Sequence, residues 1–270
     1  MLEEFKANET PFREALRRVF SELRIEKAGV PECGVPVEGV SPSKRFWRTK
    51  RAQFSKDYRS KYGGLSRTLS FVEPNTATTP IELHRIAVSM EKTIKAMTRK
   101  AARAVGGKAD FGPGGKSAVK SLKSLSDKVL KRKRILGEVG DSLRSTILVE
   151  NMKDVKGAVQ SVRNTIGKFG GKVSVIDDKY AKFVKSGYGA VHLDVVFKTP
   201  AGQIIRAEVQ VHVRNVWAVK EKSHAIYEVI RTRYKRVPGR YTEQSTKMFM
   251  ERMEKALIAK MLKLLGLYKH

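Results

Sequence analysis

Two lysines and a serine in one short segment could bind a polyphosphate. In VKSLKSLSDK, residues 119–128, Lys120, Ser124 and Lys128 are spaced by four residues, so a helix would carry two ammonium groups and a hydroxyl on one face. Ammonium groups bind phosphate oxygens as point charges. In isolation, such a pattern more often marks a solvated basic helix face. The chemistry therefore depends on which other groups the chain brings to this face.

Two carboxylates downstream could supply the rest of a phosphate-handling site. Asp141 stands in GDSLRSTILV just before a predicted buried strand, and Glu208 lies on the polar face of the alternating strand AEVQVHV. Carboxylates brought together at a sheet could hold a magnesium ion against triphosphate oxygens, and one of them could take a proton from an attacking hydroxyl. Taken singly, Asp141 is more typical of a turn cap and Glu208 of a solvent-facing strand residue.

A third segment, SGYGAVHLDV, places Tyr188 and His192 at the entrance to another predicted strand. The Tyr188 ring could stack on a nucleotide base. A histidine at the position of His192 is, by itself, more often a hydrogen-bonding group of the core. The ordered combination of the three segments favours transfer of a phosphate-containing group over the structural interpretation of each piece.

The glycines of FGPGGKSAVKSLKS, residues 111–124, do not form a P-loop. That motif needs a glycine five residues before Gly115, where Asp110 stands. It also needs a buried strand before the glycines, whereas the preceding segment is a predicted basic helix ending at Val105. Both requirements fail, so the sequence excludes a P-loop at this place.

The elements that position these residues follow from hydrophobic periodicity. TPIE, residues 79–82, is a capping box in which Thr79 caps a helix and Glu82 reaches back, and this helix ends at Gly106-Gly107. The pattern then alternates between helical and strand periods, which indicates an α+β fold with a mixed β-sheet flanked by helices. The predicted elements are helices over 117–133, 151–169, 217–233 and 242–265, and strands over 145–150, 172–176, 191–197 and 203–213.

The charge of the chain points to polyanionic partners. Lys and Arg total 55 against 27 acidic residues, a formal net charge of +28 over 270 residues. Such an excess attracts nucleic acid, ribosomes, nucleotides or an anionic membrane surface. No apolar run approaches the length of a membrane helix, and the single cysteine, Cys33, is typical of a reducing compartment, so we expect a cytoplasmic site of action and no membrane partner.

The segment KRFWRTKRAQFSKDYRSKY, residues 44–62, interleaves basic and aromatic side chains. Arginine and lysine can neutralise phosphates while exposed rings stack on bases, which predicts RNA binding. A helix that buries Trp47, Phe54 and Tyr58 and solvates its basic face is an equally good interpretation. The candidate RNA-binding residues are Arg45, Trp47, Arg48, Lys50 and Arg51.

Taken in order, these motifs resemble the synthetase domain of the RelA/SpoT family of alarmone synthetases and their toxin relatives. The family's first motif reads approximately R-x-K-S-x-x-S-x-x-x-K, and its later motifs contain a D before a strand, G-Y-R-S-L-H and E-[IV]-Q. The matching residues are Lys120, Ser121, Ser124, Lys128, Asp141, Gly187, Tyr188, His192, Glu208 and Gln210. A W-A-x-x-E-H motif is loosely matched by Trp217, Glu221 and His224.

The resemblance implies a nucleotidyltransferase-like fold and magnesium-dependent transfer of pyrophosphate from ATP to a ribose 3′-hydroxyl. It implies that Asp141 and Glu208 hold magnesium and that Glu208 is the base. The residues it implies for ATP are Lys120, Ser121, Ser124, Lys128 and Arg144, and those for the acceptor nucleotide are Tyr188, His192 and Gln210. It covers about residues 79–233, and the implied synthetase domain, 79–235, is flanked by a basic N-terminal segment (1–78) and a C-terminal amphipathic helix (236–270).

The sequence departs from the family pattern at four places. Ala118 stands where the first motif has an arginine, and Arg144 follows Asp141 by three residues rather than five. Gly189 and His212 also replace arginines of the family pattern. These departures concern the identity of the acceptor more than the type of reaction. The sequence contains no His-Asp dipeptide, so we expect no accompanying hydrolase, as in a small synthetase or a toxin with a neutralising antitoxin or immunity protein.

Three functions fit the sequence. The first is a pyrophosphokinase acting on a free acceptor such as GDP, GTP or an adenosine nucleotide. The second is the same transfer to an RNA acceptor such as the tRNA 3′ end, which the net charge and residues 44–62 favour. The third is a non-enzymatic basic protein, associated with RNA, ribosomes or virions, whose transferase fold has decayed.

Overall fold

The structure is a computed structural model, and it describes residues 44–65, 67–68, 72–112, 115, 117–131, 133–182, 189–218 and 220–221. These residues fall into two compact units. The larger unit comprises residues 55–184 and 189–214, and it contains the sheet. In the other unit, the Lys220 ammonium lies 3.6 Å from the centre of the Trp217 ring, an arrangement typical of a cation–π contact. The predicted C-terminal helix over 236–270 lies outside the described residues.

Within the described ranges, five α-helices and six β-strands have defined bounds. The helices are α1 (Lys44–Tyr62), α2 (Pro80–Arg103), α3 (Leu122–Ser126), α4 (Asp154–Ile166) and α5 (Lys179–Lys182). The strands are β1 (Arg67–Thr68), β2 (Lys108–Asp110), β3 (Leu143–Val149), β4 (Gly171–Asp178), β5 (Val191–Lys198) and β6 (Ile204–Val213). A π-helical turn, Asp127–Lys131, continues α3.

The strands form one mixed sheet in the order β1-β4-β5-β6-β3-β2. β3 and β6 run parallel, with Arg144 opposite Glu208, while the hairpin of β5 and β6 is antiparallel. β4 pairs antiparallel with β5, and β2 pairs antiparallel with β3. The structure therefore confirms the α+β class and the mixed sheet flanked by helices that the sequence predicts.

One face of the sheet is apolar and is covered by α2 and α4. Alternate residues of β5 and β6 point to this face, and Leu193, Val209 and Val211 are fully buried there. The Thr98 hydroxyl of α2 lies 2.8 Å from that of Ser145 in β3, and the Ser161 hydroxyl of α4 donates to the Ala101 carbonyl. Because both helices occupy the same side, the opposite face is left for polar side chains.

Helix α2 begins as the capping box predicts, with one difference. The Thr79 hydroxyl accepts from the Glu82 amide at 3.1 Å, while the Glu82 carboxylate accepts from the amide and hydroxyl of Thr78 rather than from Thr79. The apolar residues that recur at helical spacing along α2 are all buried, namely Ile86, Met90, Ile94, Met97 and Ala101. The methionines are therefore core residues.

The predicted helix over 117–133 is wrong in its first turn. Residues 117–121 are extended, and Val119 forms an isolated bridge with Leu143 at the edge of β3. The helix begins only after Ser121, whose hydroxyl accepts from the Ser124 amide as an N-cap. Lys120 consequently does not share a helical face with Ser124 and Lys128.

The larger unit begins earlier than the family-like region. Tyr58 of α1 is buried, and its ring packs on Tyr180 at 5.8 Å between centroids. Asp178 is fully buried beside them and accepts from the amides of Leu65 and Ala181. Burial and the hydrogen bond to Asp178 raise the pKa of Tyr58. Residues 55–78 thus belong with the sheet, while residues 79–235 as the transferase domain stay a prediction.

No helix among the described residues is both long enough and apolar enough to cross a lipid bilayer.

A methyl group at Gly171 is expected to destabilise the sheet. A Cβ there would lie 2.7 Å from Cε1 of Phe197 and 2.8 Å from Cγ1 of Ile166, both buried side chains. We expect Gly171→Ala to lower the free energy of unfolding by about 1–3 kcal/mol, measured by thermal or urea unfolding. Gly167→Ala is the control, because a Cβ there meets no atom within 4 Å. Equal stability of the two variants would contradict the prediction.

Candidate active site

The polar face of the sheet carries two lateral rows of side chains. Antiparallel and parallel registers together place Asp194 of β5 beside Glu208 of β6, which lies beside Arg144 of β3. The next row contains His192 and Gln210, again directly opposite each other. Since side chains two residues apart on a strand share a face, both rows project from the same side of the sheet. The fold therefore brings together residues that are more than sixty positions apart in sequence.

Asp141 is held by two lysines at the edge of this face. The Lys120 ammonium lies 2.8 Å from Oδ2 and the Lys128 ammonium 2.6 Å from Oδ1 of Asp141. All three side chains are only about one-fifth exposed, with relative exposures of 17%, 21% and 23%. Lys120 lies in the extended segment before α3, and Lys128 lies in the π-helical turn that follows it. The two lysines therefore meet at Asp141, although they do not share one helical face as the sequence predicts.

Burial and charge act in opposite directions on this cluster. Burial raises the pKa of Asp141, but the charges and hydrogen bonds of Lys120 and Lys128 outweigh it and lower that pKa to about 2. Burial also lowers the pKa of Lys120, which Asp141 partly offsets, while the nearby charges of Lys128 and Arg144 lower it further. Arg144 is thus close enough to add a third positive charge to the cluster.

The Asp141 ion pairs are expected to make stability pH-dependent. A pKa lowered from 3.8 to about 2 corresponds to roughly 2 kcal/mol of folding free energy at neutral pH. We expect Asp141→Asn to be less stable than wild type by about this amount above pH 4, and the difference to vanish as the pH falls to about 2 and wild-type Asp141 becomes protonated. Urea unfolding over this pH range measures it. Glu138→Gln, at an exposed carboxylate, is the control, and a difference independent of pH would contradict the assignment.

Glu208 is held in a fixed orientation by two neighbours. His192 Nδ1 lies 2.9 Å from Oε2 of Glu208, and the Gln210 side-chain amide donates to Oε1. Burial raises the pKa of Glu208, but the hydrogen bond and charge of His192 and the hydrogen bond of Gln210 outweigh it and hold that pKa below its usual range. Glu208 is therefore an ionised carboxylate at neutral pH, with its two oxygens already engaged.

A cavity of about 330 Å³ opens on this face beside Glu208. Its polar lining includes Asp177, Lys179, Lys182, His192, Asp194 and Glu208. The ammonium groups of Lys179 and Lys182 lie 2.9 Å and 2.8 Å from the Asp177 carboxylate, and Arg206 pairs with Asp194 at 2.9 Å. Burial raises the pKa of Asp177, but the two lysines lower it to about 2. The cavity thus offers a second pair of lysines, separate from the pair that contacts Asp141.

Two predicted ATP-binding residues form a small hydroxyl pair at the start of α3. The Ser121 hydroxyl donates to that of Ser124 at 3.0 Å, and both side chains are exposed. They neighbour Lys120 in the chain, although their own contacts are those of a helix cap. Their role in ATP binding stays a prediction.

Several predicted site residues lie outside the described part of the chain. Gly187, Tyr188 and His224 fall in residues that the structure does not describe. The backbone of α1 includes the candidate RNA-binding residues, but their side chains are not described, namely those of Arg45, Trp47, Arg48, Lys50 and Arg51. The stacking role of Tyr188 and RNA binding by α1 remain predictions.

Asn75 is a positioning residue that sequence reasoning missed. Its buried side-chain amide donates to the carbonyls of Leu136 and Val139, in the loop that leads to Asp141. Its side-chain oxygen accepts from the Arg206 amide at 2.7 Å, two residues before Glu208. One side chain therefore braces both carboxylate-bearing segments. No motif marks it, because it stands in an irregular segment outside the family likeness.

The lysines of the cavity were also missed. Lys179 and Lys182 follow β4 in a segment whose sequence shows only a predicted strand followed by charged residues. The sequence feature that could have indicated them is the Asp177–Lys179–Lys182 spacing, which places three charges on one short turn.

Among the described residues, no group of three or more His, Cys, Asp or Glu side chains is arranged to hold a metal ion.

Comparisons with known proteins give matches among solved structures alone. No protein-family model matches the sequence, and no curated protein matches it. The chain is similar to small alarmone synthetase 1 from Bacillus subtilis bound to its product pppGpp, with a TM-score of 0.45 and 14% identity over 67% of this chain and 93% of that one.

Two further solved structures are similar at the same level. Small alarmone synthetase 2 from Bacillus subtilis has a TM-score of 0.46 and 15% identity, over 70% of this chain and 98% of that one. The Type VI effector Tas1, in complex with its immunity protein, has a TM-score of 0.39 and 21% identity, over 66% of this chain and 95% of that one.

Proposed function

We propose that the chain is a magnesium-dependent pyrophosphokinase that transfers the β,γ-pyrophosphate of ATP to the 3′-hydroxyl of a purine nucleotide. One observation carries the proposal: Asp141, just before β3, and Glu208 of β6 lie at the same end of the parallel β3–β6 pair, and each is ionised at neutral pH. One pair of lysines contacts Asp141, and a second pair lines the cavity beside Glu208. A site of this kind neutralises and positions phosphates, which is most of what phosphoryl-type transfer requires.

The Asp141 cluster is the proposed ATP site. Lys120 and Lys128 already point their ammonium groups to one place, held there by the Asp141 carboxylate. Phosphate oxygens would take over these ammonium groups when ATP binds, so the lysines need little reorganisation. Arg144 supplies a third cation nearby. It would partly replace the arginine that the family pattern has at the position of Ala118.

Magnesium fits the donor set of this site. Asp141 and Glu208 are hard oxygen donors, and their charges interact, since Asp141 acts on the pKa of Glu208. Mg²⁺ in proteins is commonly bound by one or two carboxylates together with substrate phosphates. Asp141 and Glu208 would hold it, with Asp141 released from its lysines as these move to the phosphates. When bound, the ion would neutralise charge on the phosphate oxygens.

Glu208 is the proposed general base. Its carboxylate would take the proton of the acceptor 3′-hydroxyl as the new bond from that oxygen to the β-phosphorus forms and the bond from the β-phosphorus to the α-phosphate oxygen breaks. AMP then leaves, and the acceptor carries a 3′-diphosphate. His192 and Gln210 keep the carboxylate in place during this step through their hydrogen bonds.

The cavity beside Glu208 is the proposed acceptor site. Lys179 and Lys182 can neutralise phosphate groups of the acceptor, which favours a GDP, GTP or adenosine nucleotide over an uncharged nucleoside. Tyr188 would stack on the base. The protein would act in the cytoplasm, where ATP is available, and accumulation of its product would inhibit growth unless an antitoxin or immunity protein neutralises the enzyme.

An RNA acceptor such as the tRNA 3′ end is the second candidate, favoured by the net charge of +28. An acceptor assay separates the two. The full chain is incubated with Mg²⁺, ATP labelled in its β- or γ-phosphate, and GDP, GTP, ADP, ATP or bulk tRNA. Label on a free nucleotide supports the first candidate, and label on RNA alone supports the second. No transfer to any acceptor, together with a Glu208→Gln variant that affects growth as wild type does, would contradict both.

A further inference from the structure

His212 is the last of three hydrogen-bonded side chains, the first of which is Glu208, the proposed general base. It is fully buried, and it shares the polar face of β6 with Glu208 and Gln210, since the three alternate along the strand. Its Nε2 atom lies 3.0 Å from Oε1 of Gln210. The family pattern has an arginine at this position, so His212 is one of the departures noted in the sequence.

The ionised carboxylate of Glu208 determines the direction of the hydrogen bonds that link Glu208, Gln210 and His212. An ionised carboxylate can only accept hydrogen bonds, so the Gln210 amide nitrogen must face Glu208. The Gln210 amide oxygen must then face His212, and it can only accept. His212 Nε2 therefore carries a proton and donates it. The three side chains have one consistent arrangement, in which each hydrogen bond determines the direction of the next.

We propose that His212 is a positioning residue for the reaction: by donating from Nε2 to Gln210, it fixes the orientation of the Gln210 amide and, through it, the Glu208 carboxylate. Without this donor, the Gln210 amide oxygen loses a buried hydrogen bond, so the amide is held less firmly and its own hydrogen bond to Glu208 fixes the carboxylate less well. The expected effect on kcat rests on the proposed function. The hydrogen-bond arrangement of the three side chains does not depend on that function.

A kinetic test uses two substitutions of similar volume. His212→Leu removes the donor, and we expect kcat to fall by about 10- to 100-fold while the KM values for ATP and acceptor change by less than about twofold. His212→Gln keeps an N–H donor at the end of the side chain and is expected to restore most of kcat. Unchanged kcat in His212→Leu, or an equal loss in both variants at equal thermal stability, would overturn the proposal.

A double-substitution cycle tests the route through Gln210. Gln210→Leu alone is expected to lower kcat to a similar extent, and adding His212→Leu to it should cause little further loss, because the second residue acts through the first. Independent, multiplicative losses would show that His212 acts by another route.

A spectroscopic test decides the arrangement even if no transfer activity is found. In the full chain labelled with ¹⁵N-histidine, we expect the His212 ring to carry its proton on Nε2, with the signal assigned by its loss in His212→Leu. In ¹⁵N-glutamine-labelled chain, the Gln210 side-chain amide protons should exchange slowly with solvent, and faster in His212→Leu. A neutral ring protonated on Nδ1 alone, or an exchange rate that His212→Leu leaves unchanged, would overturn the proposal. Absence of transfer with the expected spectra would instead contradict the proposed function.

Discussion

Replacing Glu208 by glutamine is expected to lower kcat for pyrophosphate transfer by about 100- to 10,000-fold. The substitution keeps the size and shape of the side chain, but an amide cannot take the proton of the acceptor hydroxyl. Because Glu208 is ionised at neutral pH, the loss is expected over the whole neutral range. Initial rates with labelled ATP and saturating acceptor measure it, and the thermal midpoint confirms that the variant folds.

Glu150→Gln is the matched control for this substitution. Glu150 follows β3 directly, is half exposed and pairs with Arg214, so its replacement removes the same charge away from the polar face. Its kcat should stay within about twofold of wild type, as expected for surface substitutions. A Glu208→Gln variant that retains more than one-tenth of wild-type kcat would remove Glu208 from the role of base.

Replacing Lys120 or Lys128 by methionine is expected to raise the KM for ATP by about 10- to 100-fold, because each lysine would make a charge-assisted hydrogen bond to a phosphate oxygen. Methionine keeps the length and the apolar part of the side chain while removing the ammonium group. The KM for the acceptor should change little. Steady-state kinetics with each substrate varied in turn separates the two constants.

Two further substitutions make this prediction specific. Lys182→Met, in the cavity beside Glu208, should show the opposite pattern, with a raised KM for the acceptor and a nearly unchanged KM for ATP. Lys123→Met, at an exposed position of α3 near Ser124, should leave both constants unchanged. If all four lysine variants raise the KM for ATP alike, the positive charge acts through the general field of the protein and not through the Asp141 cluster.

The hairpin and helix α2 could be predicted because local patterns determine them. The alternation from Val191 to Phe197 and from Val209 to Val213 specifies which residues face the core, and the turn after Thr199 sets the strands against each other. The same alternation predicts that His192, Glu208 and Gln210 share the polar face. The part of the site that lies on this hairpin was therefore accessible from the sequence.

The remainder of the site depends on contacts that local patterns do not contain. Lys120 precedes its helix because Ser121 is a better cap than a helical residue and because Val119 bridges to Leu143. Asn75 acts through hydrogen bonds to backbone groups more than sixty residues away. Neither contact changes the hydrophobic periodicity, which is why the helix was predicted too early and Asn75 was not identified.

The parallel pairing of β3 and β6 also has a consequence for folding. β6 is inserted between β5 and β3, although it comes last in sequence among the six strands that the structure describes. Until β6 is made and docked, β3 and β5 each expose an unpaired edge, and Arg144 of β3 has no residue opposite it. Pairing over so long a sequence separation is slow. The nascent chain is therefore expected to expose aggregation-prone strand edges, and to acquire any activity only once β6 has docked between β5 and β3.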